Sequence, residues 1–237
     1  MQRRDFLKDS LLGASLALFA HSSLRANATP GNASADTGGL PTLPKRDRIR
    51  VAFLLGEHAN VIDTMGPWEV FQDATVPDNP GPFELYTVAP TRDDITMTGG
   101  LVVRPGYSIE DAPQPHVIVV PAQRSTEASR AWLRSAGSRT DVTMSVCTGA
   151  FQLARVGLLD GRAATTHHEF FDAFAKEFPR IELRRGLRFV DNGRVATAGG
   201  LTSGIDMALH VVSRYLGVEA AQRTAAYMEY TSEGWRA

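Results

Sequence analysis

Cys147 is the only cysteine among 237 residues, and it stands where a short apolar strand gives way to a helix. The chain there reads Asp141, Val142, Thr143, Met144, Ser145, Val146, Cys147, Thr148, Gly149, Ala150, followed by an amphipathic run from Phe151 to Val156. A strand joined to a helix through one small-residue corner has the form of a nucleophile elbow, whose central residue holds a strained backbone and needs small neighbours. Ser145, Thr148 and Gly149 meet that demand, although the full pattern carries Gly where Ser145 stands. The corner also puts the thiol at a helix N-terminus, where unpaired N–H groups and the helix dipole favour a thiolate that can attack electrophilic carbon. A lone cysteine is usually a buried, inert one. This stretch alone leaves both readings open.

Such a corner has to be carried by a sheet. Ile49, Val51, Phe53, Leu54 and Leu55 form a nearly continuous apolar run of the kind buried on both faces of a parallel sheet. Phe83 to Ala89, Val117 to Val120, Val142 to Val146 and Ala163 to Thr166 are further strand candidates. Helical patterns fall between them. Glu69 to Ala74 follows Gly66 and Pro67, and Glu127 to Ala136 follows Thr126. Phe170, Phe171, Phe174 and Phe178 recur at helical spacing as a core stripe. Ile95 to Arg104, about Gly99 and Gly100, and Leu187 to Thr197, about Asp191 to Gly193, read as β-hairpins. Helices from about Ser203 to Leu216 and from Val218 to Tyr230 close the chain. The alternation predicts a flavodoxin-like, three-layer α/β/α sandwich with a mainly parallel sheet and a nucleophile elbow.

Ligands of such sheets bind outside the carboxyl ends of the strands, which directs attention to four segments. Asp63 follows the first strand, shortly before the helix expected at Pro67, and is either an acid for chemistry or a cap. Pro121, Ala122, Gln123, Arg124 and Ser125 could turn backbone N–H groups toward the thiol, or Pro121 could simply mark a strand end. His167 and His168 precede a helix, where histidines more often cap or pack. Gly199 to Gly204 form a small-residue loop whose Thr202 and Ser203 are best read as helix caps.

The first 28 residues read as an address. Arg3 and Arg4, then Asp5, Phe6, Leu7 and Lys8, an apolar run from Leu11 to Ala20, and Ala26, Asn27, Ala28 make a twin-arginine export leader with a cleavage site after Ala28. The apolar run is too short for a membrane span, so no stable anchor is expected after cleavage, and the expected compartment is the periplasm. Residues 29–47 read as a flexible linker, and 48–237 as one domain. The whole chain carries a net charge of −1, and loss of a leader with net +2 leaves it at −3, which does not suggest nucleic acid. One cysteine permits no internal disulfide, and two adjacent histidines seldom share an ion, so neither metal nor cofactor is expected.

Four motifs, in order, resemble those of one family. Asp63, Gly66, Pro67, Glu69, Val70 and Phe71 are similar to its acid segment, and Val146 to Phe151 to its cysteine elbow. Gly157, Leu158, Leu159, Asp160, Gly161, Ala164, Thr165, Thr166 and His167 resemble a third motif, and Gly199 to Met207 the start of its last long helix. The sequence from Ile49 to Tyr230 is thereby identified as a member of the ThiJ/PfpI superfamily, with its class I glutamine amidotransferase-like fold. The acid segment and the threonine after the cysteine are similar to those of the isonitrile-hydratase branch, whose members convert an isocyanide and water to an N-substituted formamide.

That resemblance implies Cys147 as nucleophile, Asp63 as its acid partner and Thr148 as a polar neighbour, with His167, Gly66, Ala122, Gln123 and Ser203 as pocket candidates and a small electrophile as substrate. It also implies a homodimer. Ala122 and Gln123 replace the usual glycines, His168 stands where tryptophan is common, and Trp68 adds bulk near Asp63, so the pocket differs in shape. Two other functions share the scaffold. An oxidant-sensing or chaperone-like protein would use the cysteine as a sensor. A transcription regulator would need a helix-turn-helix segment, for which the sequence after Tyr230 is too short.

Overall fold

The computed structural model describes residues 39–236. The leader and the beginning of the linker lie outside the described residues. The central sheet has seven strands: β1 Ile49–Leu54, β2 Phe83–Ala89, β5 Tyr107–Ser108, β6 Val117–Val120, β7 Val142–Val146, β10 Phe189–Asp191 and β11 Val195–Ala198. Across the sheet they lie in the order β10-β11-β7-β6-β1-β2-β5. Every pairing is parallel except β10 with β11, the expected second hairpin. The first hairpin is the antiparallel pair β3 (Ile95–Thr96) and β4 (Val102–Val103), turned by a short 3-10 helix at Thr98–Gly100.

Alternate side chains of each strand enter two cores. Val51 and Phe53 of β1 join Met144 and Val146 of β7 beneath α1 (Val61–Asp73), α5 (Ser203–Leu216) and α6 (Val218–Tyr227). Ala52 and Leu54 join Val120 on the other face, against α2 (Glu127–Gly137), α3 (Gly149–Arg155) and α4 (Phe171–Glu177). Burial on both faces explains why β1 and β6 read as nearly continuous apolar runs rather than alternating ones. Phe151, Phe174 and Phe178 meet edge-on or tilted in the second core, whereas Phe171 lies instead under the Arg185 guanidinium.

Three element readings change. First, α1 begins at Val61 and not near Pro67: Asn60 is the cap, its side chain accepting from the N–H groups of Ile62 and Asp63. Asp63 therefore sits inside the first turn, and Pro67 lies within the helix, where it leaves the Asp63 carbonyl without its usual N–H donor. Second, the strand expected over Ala163 to Thr166 shrinks to β8 (Ala163–Ala164), which pairs only with β9 (Glu182–Leu183) in a separate small sheet. Thr165 N–H is taken by the Thr197 hydroxyl at 2.9 Å rather than by a strand carbonyl. Third, α6 stops at Tyr227, and Glu229, at φ 52°, turns the chain out of the helix.

Close backbone approach fixes the layers near the site. A Cβ on Gly204 of α5 would lie 2.9 Å from Val146, and one on Gly66 of α1 would lie 3.0 Å from Ile205. At the other edge of the sheet, residues 39–47 carry no helix or strand but are attached. Arg46 makes a two-pronged ion pair with Asp141 at 2.8 and 3.0 Å, and Arg214 donates to the Pro41 carbonyl at 3.2 Å.

Candidate active site

Cys147 follows β7 directly and has φ 59°, the left-handed conformation that costs a side-chain-bearing residue about 1–3 kcal/mol. Bonds on both sides hold it there. Its N–H donates to the Gly199 carbonyl at 2.8 Å, and its carbonyl accepts from the Thr166 hydroxyl at 2.9 Å. The elbow can turn this tightly because Gly149 follows. A Cβ at Gly149 would lie 2.1 Å from the Val120 carbonyl oxygen and 3.0 Å from that of Pro121. The sequence pattern of a short strand, a cysteine and small residues is thus the geometric requirement of the corner.

Asp63 comes to the same place from α1. Its side chain is fully buried, and Oδ2 accepts the Ala122 N–H at 3.2 Å, while Oδ1 has no hydrogen-bond partner among the described residues. The Cys147 thiol and the Leu201 N–H lie close enough to act on its charge. Burial raises the carboxyl from its ordinary 3.8 to about 7, against the opposing pull of the Ala122 N–H, the thiol and the Leu201 N–H. Burial also pushes the thiol up to about 12, helped by the charge of Asp63 and resisted by the Thr148 N–H and hydroxyl. The thiolate expected from the helix N-terminus is therefore not the resting state. With Cys147 only 7% exposed, desolvation outweighs the dipole of a two-turn helix.

Near neutral pH only Asp63 changes charge while the thiol keeps its proton, and the charge that Asp63 gains is one of the causes that hold the thiol up. A pH series of iodoacetamide alkylation checks this directly. Cys147 should show no inflection near the ordinary thiol value of about 8.5 and should still be gaining reactivity above it. In Asp63→Asn the inflection should fall, because the like charge that raises the thiol is gone. An inflection below 8.5 in the unaltered protein would contradict the geometry.

The remaining candidates divide between the site and its frame. Ala122 supplies the N–H that holds Asp63, so this segment's donor faces the acid and not the thiol; the Arg124 N–H goes to the Glu57 carbonyl at 2.9 Å. Gln123 ties down the end of β1, its amide donating to the Leu54 carbonyl at 2.9 Å and accepting from the Gly56 N–H. Thr148 occupies the cap position of α3 beside the thiol without a side-chain capping bond. Gly66 lies in the α1–α5 contact, and Ser203 is buried as the first residue of α5.

Thr202 holds the N-cap position of α5 but makes no side-chain capping bond, its hydroxyl instead accepting from Arg188 at 3.3 Å, and Ser203 is already the helix's first residue. His167 accepts the Glu169 N–H at 3.3 Å as a cap and stacks on His168, while its ring meets the place where a Gly200 side chain would be. Trp68 packs on Phe53, with ring centroids 4.9 Å apart. Leu201, at φ 55°, brings a backbone N–H toward Asp63, and no side-chain pattern announces such a role. No group of three histidine, cysteine or acidic side chains among the described residues could hold a metal ion.

A buried acid set against a strained cysteine, on the carboxyl edge of a parallel sheet, defines a cysteine-elbow α/β protein. The DJ-1/PfpI family profile matches residues 49–214, and the chain belongs to that family. It is 31% identical over 188 residues to isonitrile hydratase of Pseudomonas putida, a match that covers 77% of this chain and 78% of that protein. It is 28% identical over 186 residues to the HTH-type transcriptional regulator GbdR of Pseudomonas aeruginosa, covering 76% of this chain but only 50% of the regulator. Among solved structures, a ThiJ/PfpI family protein from Pseudomonas syringae superimposes with a TM-score of 0.70 at 26% identity, over 89% of this chain and 85% of that one.

Proposed function

We propose that the protein is an exported, cysteine-dependent hydratase that adds water to a small electrophile such as an isocyanide, giving an N-substituted formamide. The observation that carries this reading is the buried Asp63 carboxyl, with one unpartnered oxygen, facing the Cys147 thiol. The likeness to an isonitrile hydratase over most of both chains supports it.

A thiol held at about 12 is a poor nucleophile alone, but a carboxylate titrating near 7 can relieve it of its proton at the moment of attack. Ionised Asp63 takes the thiol proton as Sγ bonds to the terminal carbon of R–N≡C. The same proton passes from Asp63 to that carbon, giving a thioimidate, S–CH=N–R. Water then adds across the C=N bond, the C–S bond breaks with return of a proton to sulfur, and R–NH–CHO leaves. Thr148, whose N–H and hydroxyl already face the sulfur, steadies its developing charge.

The competent form has a neutral thiol and an ionised acid. Incubation of the purified protein with an alkyl isocyanide should yield the formamide, with kcat/KM rising as pH rises through about 7. Cys147→Ala should reduce formation to the uncatalysed rate. Formamide production that survives that substitution would end the proposal.

The same burial speaks against an oxidant sensor, which needs an accessible, low-pKa thiolate. Export to the periplasm rests on the leader sequence, and cleavage after Ala28 is readable by N-terminal sequencing of the periplasmic fraction. Homodimer formation rests on the family resemblance.

A further inference from the structure

Behind the elbow, Ser145 Oγ, Gln152 Oε1 and Thr165 Oγ1 have no hydrogen-bond partner among the described residues. None of the three residues is more than 3% exposed. Nor are they scattered. Ser145 is the register partner of Val120 on β6 and of Thr197 on β11. The Thr197 hydroxyl accepts the Thr165 N–H at 2.9 Å, which brings Thr165 over the β11 side of Ser145. Gln152 Nε2 donates to the Pro121 carbonyl at 3.3 Å, one residue past Val120, which brings its amide over the β6 side. Adjacent strands are about 4.8 Å apart, so these bonds place the three residues at neighbouring positions around the space over Ser145, on the sheet face opposite α1.

We propose that this space is a binding site for one ordered water molecule, held by Ser145 Oγ, Gln152 Oε1 and Thr165 Oγ1. Donors and acceptors balance. Gln152 Nε2 is committed to Pro121, so its Oε1 can only accept, and the water donates to it. Each hydroxyl donates to the water oxygen, making about three bonds, the usual number for a buried water. A dry space would leave three buried polar atoms unpaired in one neighbourhood, a rare arrangement in folded proteins.

The water joins β7, α3 and the segment after β8 immediately beneath the elbow. The next residue, Thr166, holds the Cys147 carbonyl, so the water braces the strained corner from below. The inference does not depend on the isocyanide chemistry.

Its test is two small substitutions, Thr165→Val and Ser145→Ala, together with a high-resolution crystal structure of the unaltered protein. Each variant should melt roughly 2–4 °C lower, because it loses a bond to the water. The structure should show a water within about 3.2 Å of all three atoms. A dry space predicts the opposite sign, since deleting an orphaned hydroxyl removes its desolvation cost. Midpoints unchanged or raised in both variants, or side chains that bond one another with no water between them, would overturn the proposal.

Discussion

Asp63→Asn should cut turnover by about 10²–10⁴ while making the protein more stable at pH 8. The loss follows from the acid's two duties, since an amide neither accepts the thiol proton nor returns it. The gain follows from linkage. The folded state raises the carboxyl from 3.8 to about 7, so between those values the folded protein holds a proton that the unfolded chain gives up. Stability from this group is thus greatest below the unfolded value, falls as pH rises toward the folded one, and stays low above it. A shift of that size corresponds to about 4 kcal/mol, of which the asparagine should recover about 1–3, since its own NH₂ lacks a good partner. Urea titrations at several pH values would show the variant's advantage growing through this window and then levelling. Unchanged turnover, or lower stability at pH 8, would remove Asp63 from its assigned place.

Gly149→Ala should be the most damaging single methyl in the protein's centre. The new carbon would meet the carbonyl oxygens of Val120 and Pro121, which are backbone and cannot swing aside. Helix α3 would have to lift off β6, taking Cys147 with it. A destabilisation above about 4 kcal/mol is expected, a drop in melting temperature of more than about 10 °C, with loss of any Cys147-dependent activity. Gly81→Ala is the matched control. No atom lies within 4 Å of a Cβ there, and the melting temperature should not move measurably. A Gly149→Ala protein that melts normally would mean that the elbow can relax without its glycine.

The contrast between these positions shows what the sequence can disclose. The first strand was legible because burial on both faces leaves an unbroken apolar run, as at Val51 to Leu55. The elbow was legible because its steric demand falls on residue type, and Gly149 is that demand. The start of α1 was not. Proline usually opens a helix, and here Pro67 sits in its interior while Asn60, six residues after the strand, does the capping. The state of the thiol was left open because the dipole argument can be made from local order, whereas desolvation depends on what distant segments such as α1 bring over the corner. Leu201 was invisible for a related reason: its contribution is a backbone N–H, which no side-chain type announces.

The sheet's margins are very short. One outermost strand is Tyr107–Ser108 and the other Phe189–Asp191, two and three residues, and the latter runs against its neighbour. So brief a row of open backbone groups gives another chain little to pair with. Growth of the sheet from copy to copy, the route by which exposed strand edges lead to aggregation and fibrils, is therefore poorly templated.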